Sequence, residues 1–230
     1  MNDDKALEIV DKIFLNVFGT NNKYSMEELL SIFAYDIDVP RRVIDVITNK
    51  ETWTDFPGDN KYVNDKNMYL INNNNWDKEK CNFSTLSEVI DTWNEINYIP
   101  TERITNSERV YKSDTIFNSR DVYNSTSSSN SNNIVYSDCC NDCEYVLASK
   151  GANGCNNCIR VYDSSYSSNS FSIIWSNKIV NSLFIQNCNN LYECMFCSHI
   201  GNKKYCICNM QFEEKEYFEY KKKIIEWILK

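Results

Sequence analysis

The residues of this chain that could do chemistry are its eleven cysteines and its one histidine, His199. Six of the cysteines form three CxxC pairs, which are Cys140/Cys143, Cys155/Cys158 and Cys194/Cys197. Such pairs are typical of zinc sites, because a tight turn brings two thiolates onto one tetrahedral ion. His199 is the only histidine that could complete such a site, and we expect it to be a surface residue rather than a catalytic base.

The cysteine spacing has a simpler explanation in a period of three that runs through residues 107–206. Every third residue there is Ser, Cys, Ala or an aliphatic residue, with Lys203 as the only exception. Eight of the eleven cysteines fall in this frame, where they alternate with Ser and Ala and act as small hydrophobic residues. We therefore predict thiols in a protein core, with no metal and no other cofactor. The first residues lack the pattern of a secretory signal, which favours free thiols in a reducing cytoplasm over disulfides across the coil.

Neither an α-helix nor a flat strand produces a period of three. A narrow coil that turns a corner every few residues does, because each side then contributes one inward side chain. Sets of four consecutive inward residues mostly hold one aliphatic and three small residues. Twelve residues after Val146 the inward residue is small, and the aliphatic residue of that set is Val161 instead. Such compensation is expected within one packed layer. The sequence therefore predicts a right-handed parallel β-helix, a β-solenoid with about twelve residues per coil; a coil of twenty-four residues stays open.

Two further columns repeat at a spacing of twelve. One is rich in Asn, Asp and Gly, which tolerate positive φ, and predicts a stacked corner. Its members are Asn118, Asn130, Asp142, Gly154, Tyr166, Lys178, Asn190 and Asn202. The other is an outward apolar column, which we call the stripe. Its members are Tyr111, Tyr123, Val135, Leu147, Ile159, Phe171, Leu183, Met195 and Ile207.

The stripe is the best functional clue in the sequence, because exposed apolar patches of this length usually mark an interface. We predict that it serves self-association of the chain or docking of a partner protein. Cover of the stripe by the N-terminal region or by the terminal helix remains an equal alternative.

Residues 1–106 are predicted to form an acidic α+β cap or adaptor domain ahead of the solenoid at 107–208. Its expected elements are a helix that Gly19 ends, a helix capped by Ser25 and Glu28, a hairpin near Trp53 and a helix capped by Thr85. Three tryptophans are expected to anchor its packing, and residues 72–75 to form a polar loop. Residues 209–230 are predicted to be a capping helix that covers the last coil.

Charge follows the same boundaries. Residues 1–106 carry 11 basic and 19 acidic residues, whereas residues 107–208 carry 8 of each. A neutral solenoid without a basic stripe argues against a nucleic-acid partner. No stretch approaches the length of a transmembrane helix, so a membrane is not expected as a partner either.

The coils resemble the small right-handed β-solenoids of beetle antifreeze proteins, but the Thr-x-Thr ladder that binds ice is absent. Separately, LYECMFC at 191–197 and NKKYCICNMQF at 202–212 resemble the ends of uncharacterised Cys- and Asn-rich repeat proteins of low-GC bacteria and their phages. This second resemblance implies no known activity and keeps a role in a phage particle open.

No outward column is consistently acidic or basic, and no nucleophile pair or phosphate loop is present, so no catalytic residues are predicted. The expectation is a non-enzymatic structural or protein-interaction protein of the cytoplasm, or of the virion if it is phage-encoded. The alternative is a carbohydrate-binding or carbohydrate-active β-helix protein.

Overall fold

The structure of the chain, a computed structural model, describes residues 2–72 and 76–230. Its dominant feature is a β-solenoid of about nine coils stacked at a spacing of twelve residues, with helices packed against it. The fold class is therefore confirmed, with twelve rather than twenty-four residues per coil. Of the loop predicted at 72–75, only the backbone of Asn72 is described, and residues 73–75 lie outside the described residues.

The described residues contain five α-helices. They are α1 (Asp3–Phe18), α2 (Met26–Ile32), α3 (Tyr69–Asn72), α4 (Leu86–Ile96) and α5 (Glu214–Ile228). Helix α1 ends at Gly19, whose φ of 72° is left-handed. The side chains of Ser25 and Thr85 accept backbone N–H groups in the first turns of α2 and α4. The helix starts and stops predicted from these three residues are confirmed.

Four short strands precede the solenoid: β1 (Arg41–Ile44), β2 (Glu51–Thr54), β3 (Lys61–Asn64) and β4 (Tyr98–Thr101). Strands β1 and β2 form the predicted antiparallel hairpin, and β3 pairs in parallel with β4. The hydroxyls of Thr52 and Thr101, both buried, lie 2.6 Å apart and join the two pairs. The buried carboxylate of Asp45 accepts the backbone N–H groups of Ile47 and Thr48 at 2.7 Å and 3.0 Å, which fixes the turn after β1. It also accepts the amide of Asn67 at 2.7 Å.

The solenoid consists of short strands, most of them four residues long. They are β5 (Ile104–Thr105), β6 (Glu108–Tyr111), β7 (Asp114–Phe117), β8 (Arg120–Tyr123), β9 (Thr126–Ser129), β10 (Asn132–Val135), β11 (Glu144–Leu147), β12 (Lys150–Asn153), β13 (Asn156–Ser165), β14 (Ser168–Ile174), β15 (Asn177–Val180), β16 (Leu183–Gln186), β17 (Asn189–Ser198), β18 (Gly201–Ile207) and β19 (Met210–Gln211). Parallel pairing at a register of twelve is typified by Ile134, which stands between Val122 and Val146. Every residue of the period-three frame from Ser113 to Cys197 is buried.

The period of three has its cause in the backbone. From Asn106 to Cys208, every third residue has a φ between 42° and 70°, in the left-handed region. Each triplet thus contains an inward, an outward and a corner residue, and four triplets close one coil. The predicted corner column that begins at Asn118 is confirmed as one of four. Two of the other three columns hold residues such as Ala148 and Trp175, which rarely adopt this conformation. The third, which begins at Arg109, was missed although it holds Asn133, Asn157 and Asn169.

The inward serines do more than fill a narrow core. The hydroxyl of Ser137 donates to the carbonyl of Val135 at 2.9 Å and accepts the N–H of Ser149, one coil on, at 3.2 Å. In turn, the Ser137 N–H donates to the hydroxyl of Ser125 at 3.0 Å, and the Val161 N–H donates to that of Ser149 at 2.9 Å. These hydroxyls pair buried amides that would otherwise lack an acceptor.

A buried carboxylate joins the cap to the first coils. Asp114 is fully buried and accepts the backbone N–H of Arg103 at 2.8 Å and its guanidinium at 3.0 Å. Arg103 also pairs at 2.6 Å with Asp55, which accepts the hydroxyl of Thr126 at 2.7 Å. Burial alone would raise the pKa of Asp114, but the hydrogen bonds from Arg103 outweigh burial and lower this pKa.

We expect Asp114→Asn to lower the free energy of unfolding at pH 7 by about 1–3 kcal/mol, because the variant loses hydrogen bonds to a charged acceptor. The folded pKa lies below the unfolded value of about 3.9, so this contribution is complete above that pH and is lost as the pH falls. In urea unfolding, the gap between wild type and variant should shrink from pH 7 to about pH 3. Asp142→Asn, at an exposed corner, is the control. A gap that is equal at both pH values would contradict the assignment.

The predicted C-terminal helix is confirmed, and it packs along the side of the last coils rather than across their open end. Lys221 of α5 pairs with the buried Glu193 at 2.6 Å, and Tyr217 is fully buried in the same core as the stripe. At the end of α5, the Leu229 carbonyl accepts the hydroxyl of Tyr24 at 3.1 Å. This contact links α5 to the segment between α1 and α2.

The open end is closed by a hairpin instead. Strand β19 turns back antiparallel onto β18, and the amide of Gln211 donates to the Lys204 carbonyl at 2.7 Å. Lys203 stands in the inward frame of this last coil and is exposed. A charge at that position opposes the stacking of a further coil.

Candidate functional site

The predicted stripe is covered by other parts of the same chain. Eight of its nine residues are buried, and only Tyr111 stays partly exposed, at 37%. They share one core with the apolar face of α1, which consists of Ala6, Ile9, Val10, Ile13, Phe14, Val17 and Phe18. The structure thus shows the alternative that the sequence left open, cover from within the chain. The stripe is not an exposed surface in this fold.

Polar contacts fix the helices on the stripe. The phenol of Tyr123 donates to the carboxylate of Asp3 at 2.7 Å, at the start of α1. The phenol of Tyr136 donates to the Met26 carbonyl at 3.0 Å, at the start of α2. Burial raises the pKa of both phenols, so both stay protonated and keep their donor role.

The frame cysteines lie inside the coil, as predicted. The Cys143 thiol lies 3.2 Å from the Asn141 carbonyl, and the Cys158 thiol lies 3.3 Å from the Ser167 carbonyl. All eleven cysteines are free thiols. Burial raises the pKa of Cys158, and a neutral thiol is a poor nucleophile and a poor metal ligand. Across residues 2–72 and 76–230, no three His, Cys, Asp or Glu side chains are grouped so that they could hold a metal ion.

His199 lies at an exposed corner of the solenoid, where the sequence places it. Its Nδ1 is 2.6 Å from the hydroxyl of the adjacent Ser198. The backbone of Ser198 is in turn held by the side chain of Asn209, at 3.0 Å and 2.9 Å.

The clearest exposed apolar surface belongs to α4. Leu86, Val89, Ile90 and Trp93 recur at helical spacing, so they lie on one side of the helix, which we call the α4 face. All four are exposed, Leu86 at 74% and Trp93 at 55%. Within the described residues, no side chain of α4 is buried. The expectation that three tryptophans anchor the cap is therefore wrong for Trp93.

The side of α4 opposite the α4 face is acidic. Residues 86–96 contain Glu88, Asp91 and Glu95 and no lysine or arginine, and helical spacing places these three carboxylates away from the apolar residues. Lys78 approaches from outside the helix and forms an ion pair with Glu95. The helix is therefore apolar on one side and acidic on the other.

The side of the solenoid opposite the stripe is polar and uncovered, and we call it the amide face. Its outward residues are Phe117, Ser129, Asn141, Asn153, Ser165, Asn177, Asn189 and Gly201. Exposed aromatic residues stand at its two corners: Trp175 on one and Tyr166 on the other, each 60% exposed. Beside Trp175 runs an open groove of about 790 Å³. Its polar lining includes Asp163, Ser165, Asn177, Asn187, Asn189 and His199.

A larger groove, of about 1080 Å³, lies between the end of α1 and α5. Its walls include Leu15 and Phe218, and the ion pair between Lys221 and Glu193 lines it as well. Because these two buried charges neutralise each other, the pair offers a ligand no uncompensated charge.

The structure brings the stripe residues together, as the sequence predicts, but leaves two other surfaces open. The α4 face was signalled by its helical apolar period, although the sequence did not reveal that the described residues would leave it exposed. Trp175 falls in a corner column, and no sequence pattern marked it as part of a groove. Among the described residues, no helix is both long enough and apolar enough to cross a bilayer. Neither models of protein families, nor curated proteins, nor solved structures match this chain.

Proposed function

We propose that this protein is a non-enzymatic interaction protein, in which a rigid β-solenoid carries an acidic cap that docks a partner protein through the α4 face. The observation that carries the proposal is the exposure of Leu86, Val89, Ile90 and Trp93 on one side of a capped helix. Since the stripe is covered within the chain, docking is assigned to this second apolar surface.

Exposure of this face is unfavourable in isolation. Burial of apolar surface is worth roughly 25 cal/mol per Å², so four large side chains in water forgo several kcal/mol. Contiguous exposed apolar patches with a polar rim mark binding surfaces. An amphipathic helix that presents residues at i, i+3, i+4 and i+7 fits a groove in a partner protein.

Charge decides which partner fits. Helix α4 carries Glu88, Asp91 and Glu95 on the side opposite the α4 face, and residues 1–106 together have a net charge of −8. A second copy of the chain would bring like charges together, and an anionic lipid surface would repel the same acidic region. A protein groove that is apolar at its centre and lined by Lys and Arg complements both features.

The remainder of the chain serves as a rigid support. The solenoid is nearly neutral, and each coil is tied to its neighbours by parallel backbone pairing and by the inward serine hydroxyls. Such a support suits a structural role in a reducing cytoplasm or, for a phage-encoded chain, in the virion.

The test is selection of a displayed library of random peptides on the immobilised protein. We expect enrichment of peptides that combine an apolar helical period with Lys and Arg. Their affinity should fall at least about tenfold for Trp93→Ser and should weaken with added salt. Trp227→Ser, which removes an equally exposed tryptophan on α5, is the matched control.

Three outcomes would overturn the proposal. The first is the absence of enriched peptides, or peptides that bind wild type and Trp93→Ser equally well. The second is a dimer in light scattering that Trp93→Ser dissociates, which would assign the α4 face to self-association. The third is binding to anionic vesicles that depends on Trp93, which would assign it to a lipid surface.

A further inference from the structure

We propose that the amide face holds a second binding site, for a neutral oligosaccharide chain, centred on Trp175. This site is independent of the proposed docking role of α4, because the two surfaces share no residue. It assigns a ligand class to the groove of about 790 Å³ beside Trp175.

Trp175 is an unusual residue for a solenoid corner. Its φ of 47° is left-handed, where asparagine and glycine are far better accommodated, and 60% of the residue is exposed. Its column otherwise holds Thr115, Ser127, Cys139, Gly151, Asp163, Asn187 and His199. A large apolar ring in this place gains little from packing and is unfavourable for the backbone. An exposed indole does supply a flat platform on which the C–H face of a sugar ring can stack.

A second exposed aromatic residue lies at the opposite corner of the amide face, outside the groove. Tyr166 lies against Gly154: a Cβ on that glycine would come within 2.8 Å of the tyrosine ring. Likewise a Cβ on Gly151 would come within 2.3 Å of the Asp163 carboxylate. The two glycines therefore let Tyr166 and Asp163 lie against the preceding coil, and of these two only Asp163 lines the groove.

Unpaired amides lie beside Trp175 in the groove. The side chains of Asn177, Asn187 and Asn189 line the groove, and no hydrogen bond joins them to another described residue. Asn118, in contrast, donates to the amide of Asn130 at 3.3 Å in a corner ladder. Each free amide offers two donors and one acceptor, which is the combination that sugar hydroxyls require.

The spacing and the charge of the groove narrow the ligand class. Successive coils place Asn177 and Asn189 about 4.8 Å apart in one column, close to the length of one sugar residue in an extended chain. The groove lining contains no lysine or arginine, and Asp163 is its one carboxylate. Acidic polysaccharides and nucleic acids would find no cation there, so the site fits a neutral glycan.

The test is titration of the full chain with neutral hexasaccharides of glucose, mannose, xylose and N-acetylglucosamine, with heparin and polygalacturonate as acidic comparisons. We expect at least one neutral hexasaccharide to bind, with little dependence on salt. Trp175→Asn should lower its affinity by at least about tenfold. This variant should remain folded, because asparagine suits a left-handed corner.

Trp227→Ser is again the matched control, since Trp227 is 61% exposed but lies on α5. It should bind the sugar like the wild type. Failure of every neutral hexasaccharide to bind at millimolar concentration would overturn the proposal, as would equal binding by Trp175→Asn and wild type. Preferred binding of heparin, weakened by salt, would equally overturn it. None of these results bears on the α4 face, whose test uses peptides and Trp93.

Discussion

Replacement of Ile13 by aspartate is expected to remove most of the stability of the fold. Ile13 lies on the side of α1 that packs on the stripe, and it is fully buried there. Loss of a buried isoleucine side chain costs about 2–5 kcal/mol, and an unpaired carboxylate in that core adds a desolvation cost. Domains of ordinary stability have only about 5–15 kcal/mol in total. In urea unfolding, the midpoint should fall sharply, and the freed stripe should bind an apolar dye such as anilinonaphthalene sulfonate.

The same helix supplies the control. Leu15 lies two residues further along α1 and is 55% exposed, so Leu15→Asp places the same charge where water solvates it. It should lower the free energy of unfolding by only about 1 kcal/mol, from the lower helix propensity of aspartate and its place in the last turn of α1. Similar losses for both variants would mean that α1 does not need its apolar face on the stripe. A stable Ile13→Asp variant that forms dimers would instead return the stripe to the role of an interface.

The coil could be predicted because one requirement, a small or aliphatic inward residue, repeats at every third position. Small residues in the frame, such as Ser137 and Cys143, and aliphatic ones such as Val146 reveal one inward position in every three. Volume compensation within a layer then distinguishes twelve residues from twenty-four. Among the corner columns that were not predicted, the one that begins at Arg109 did carry a signal of positive φ in Asn133 and Asn157. The other two could not be predicted, since residues such as Ala148 and Trp175 give no such local signal. Their conformation is imposed by closure of the coil, a tertiary effect that overrides local preference.

The apolar patterns of the candidate surfaces could be predicted from the sequence, but which of these patterns would be exposed could not. The apolar period of α1 and that of α4 look alike in the sequence, yet Ile13 is buried and Leu86 is exposed. Which amphipathic helix docks on the stripe depends on chain reach and on contacts such as that of Tyr136 with Met26. A single sequence shows neither the reach of the chain nor these contacts. Trp175 comes to line one groove with Asn177 and Asn189 only when the coils are stacked.

The sequence suggests that the inward residues are selected for small size, but the inward serines also have a role in hydrogen bonding. Small volume explains why Ser, Cys and Ala share the frame, but not why serine dominates its first half. The structure supplies the reason: the Ser137 hydroxyl accepts the buried N–H of Ser149 from the next coil. Cysteine can replace serine in this role, as Cys143 does when its sulfur accepts the Cys155 N–H at 3.5 Å.

We therefore expect a graded series at Ser137, a fully buried residue. Ser137→Cys keeps an acceptor and should cost least. Ser137→Ala leaves the Ser149 N–H without a partner and should cost about 1–3 kcal/mol. Ser137→Val adds overpacking of the narrow coil, about 1–3 kcal/mol more. Chemical unfolding monitored by circular dichroism should rank the stability of the variants as wild type, Cys, Ala, Val.

A substitution at Ser128 tests whether hydrogen bonding or volume accounts for the effect. It is as fully buried as Ser137, but its hydroxyl only donates, to the Thr126 carbonyl at 3.1 Å, and accepts no N–H from another described residue. Ser128→Ala should therefore cost less than Ser137→Ala, although the volume removed is the same. Equal losses in the free energy of unfolding for the two variants would mean that the inward serines are selected only for their small size. A larger cost at Ser137 would mean that the frame selects serine for its acceptor, so that each coil completes the hydrogen bonding of the next.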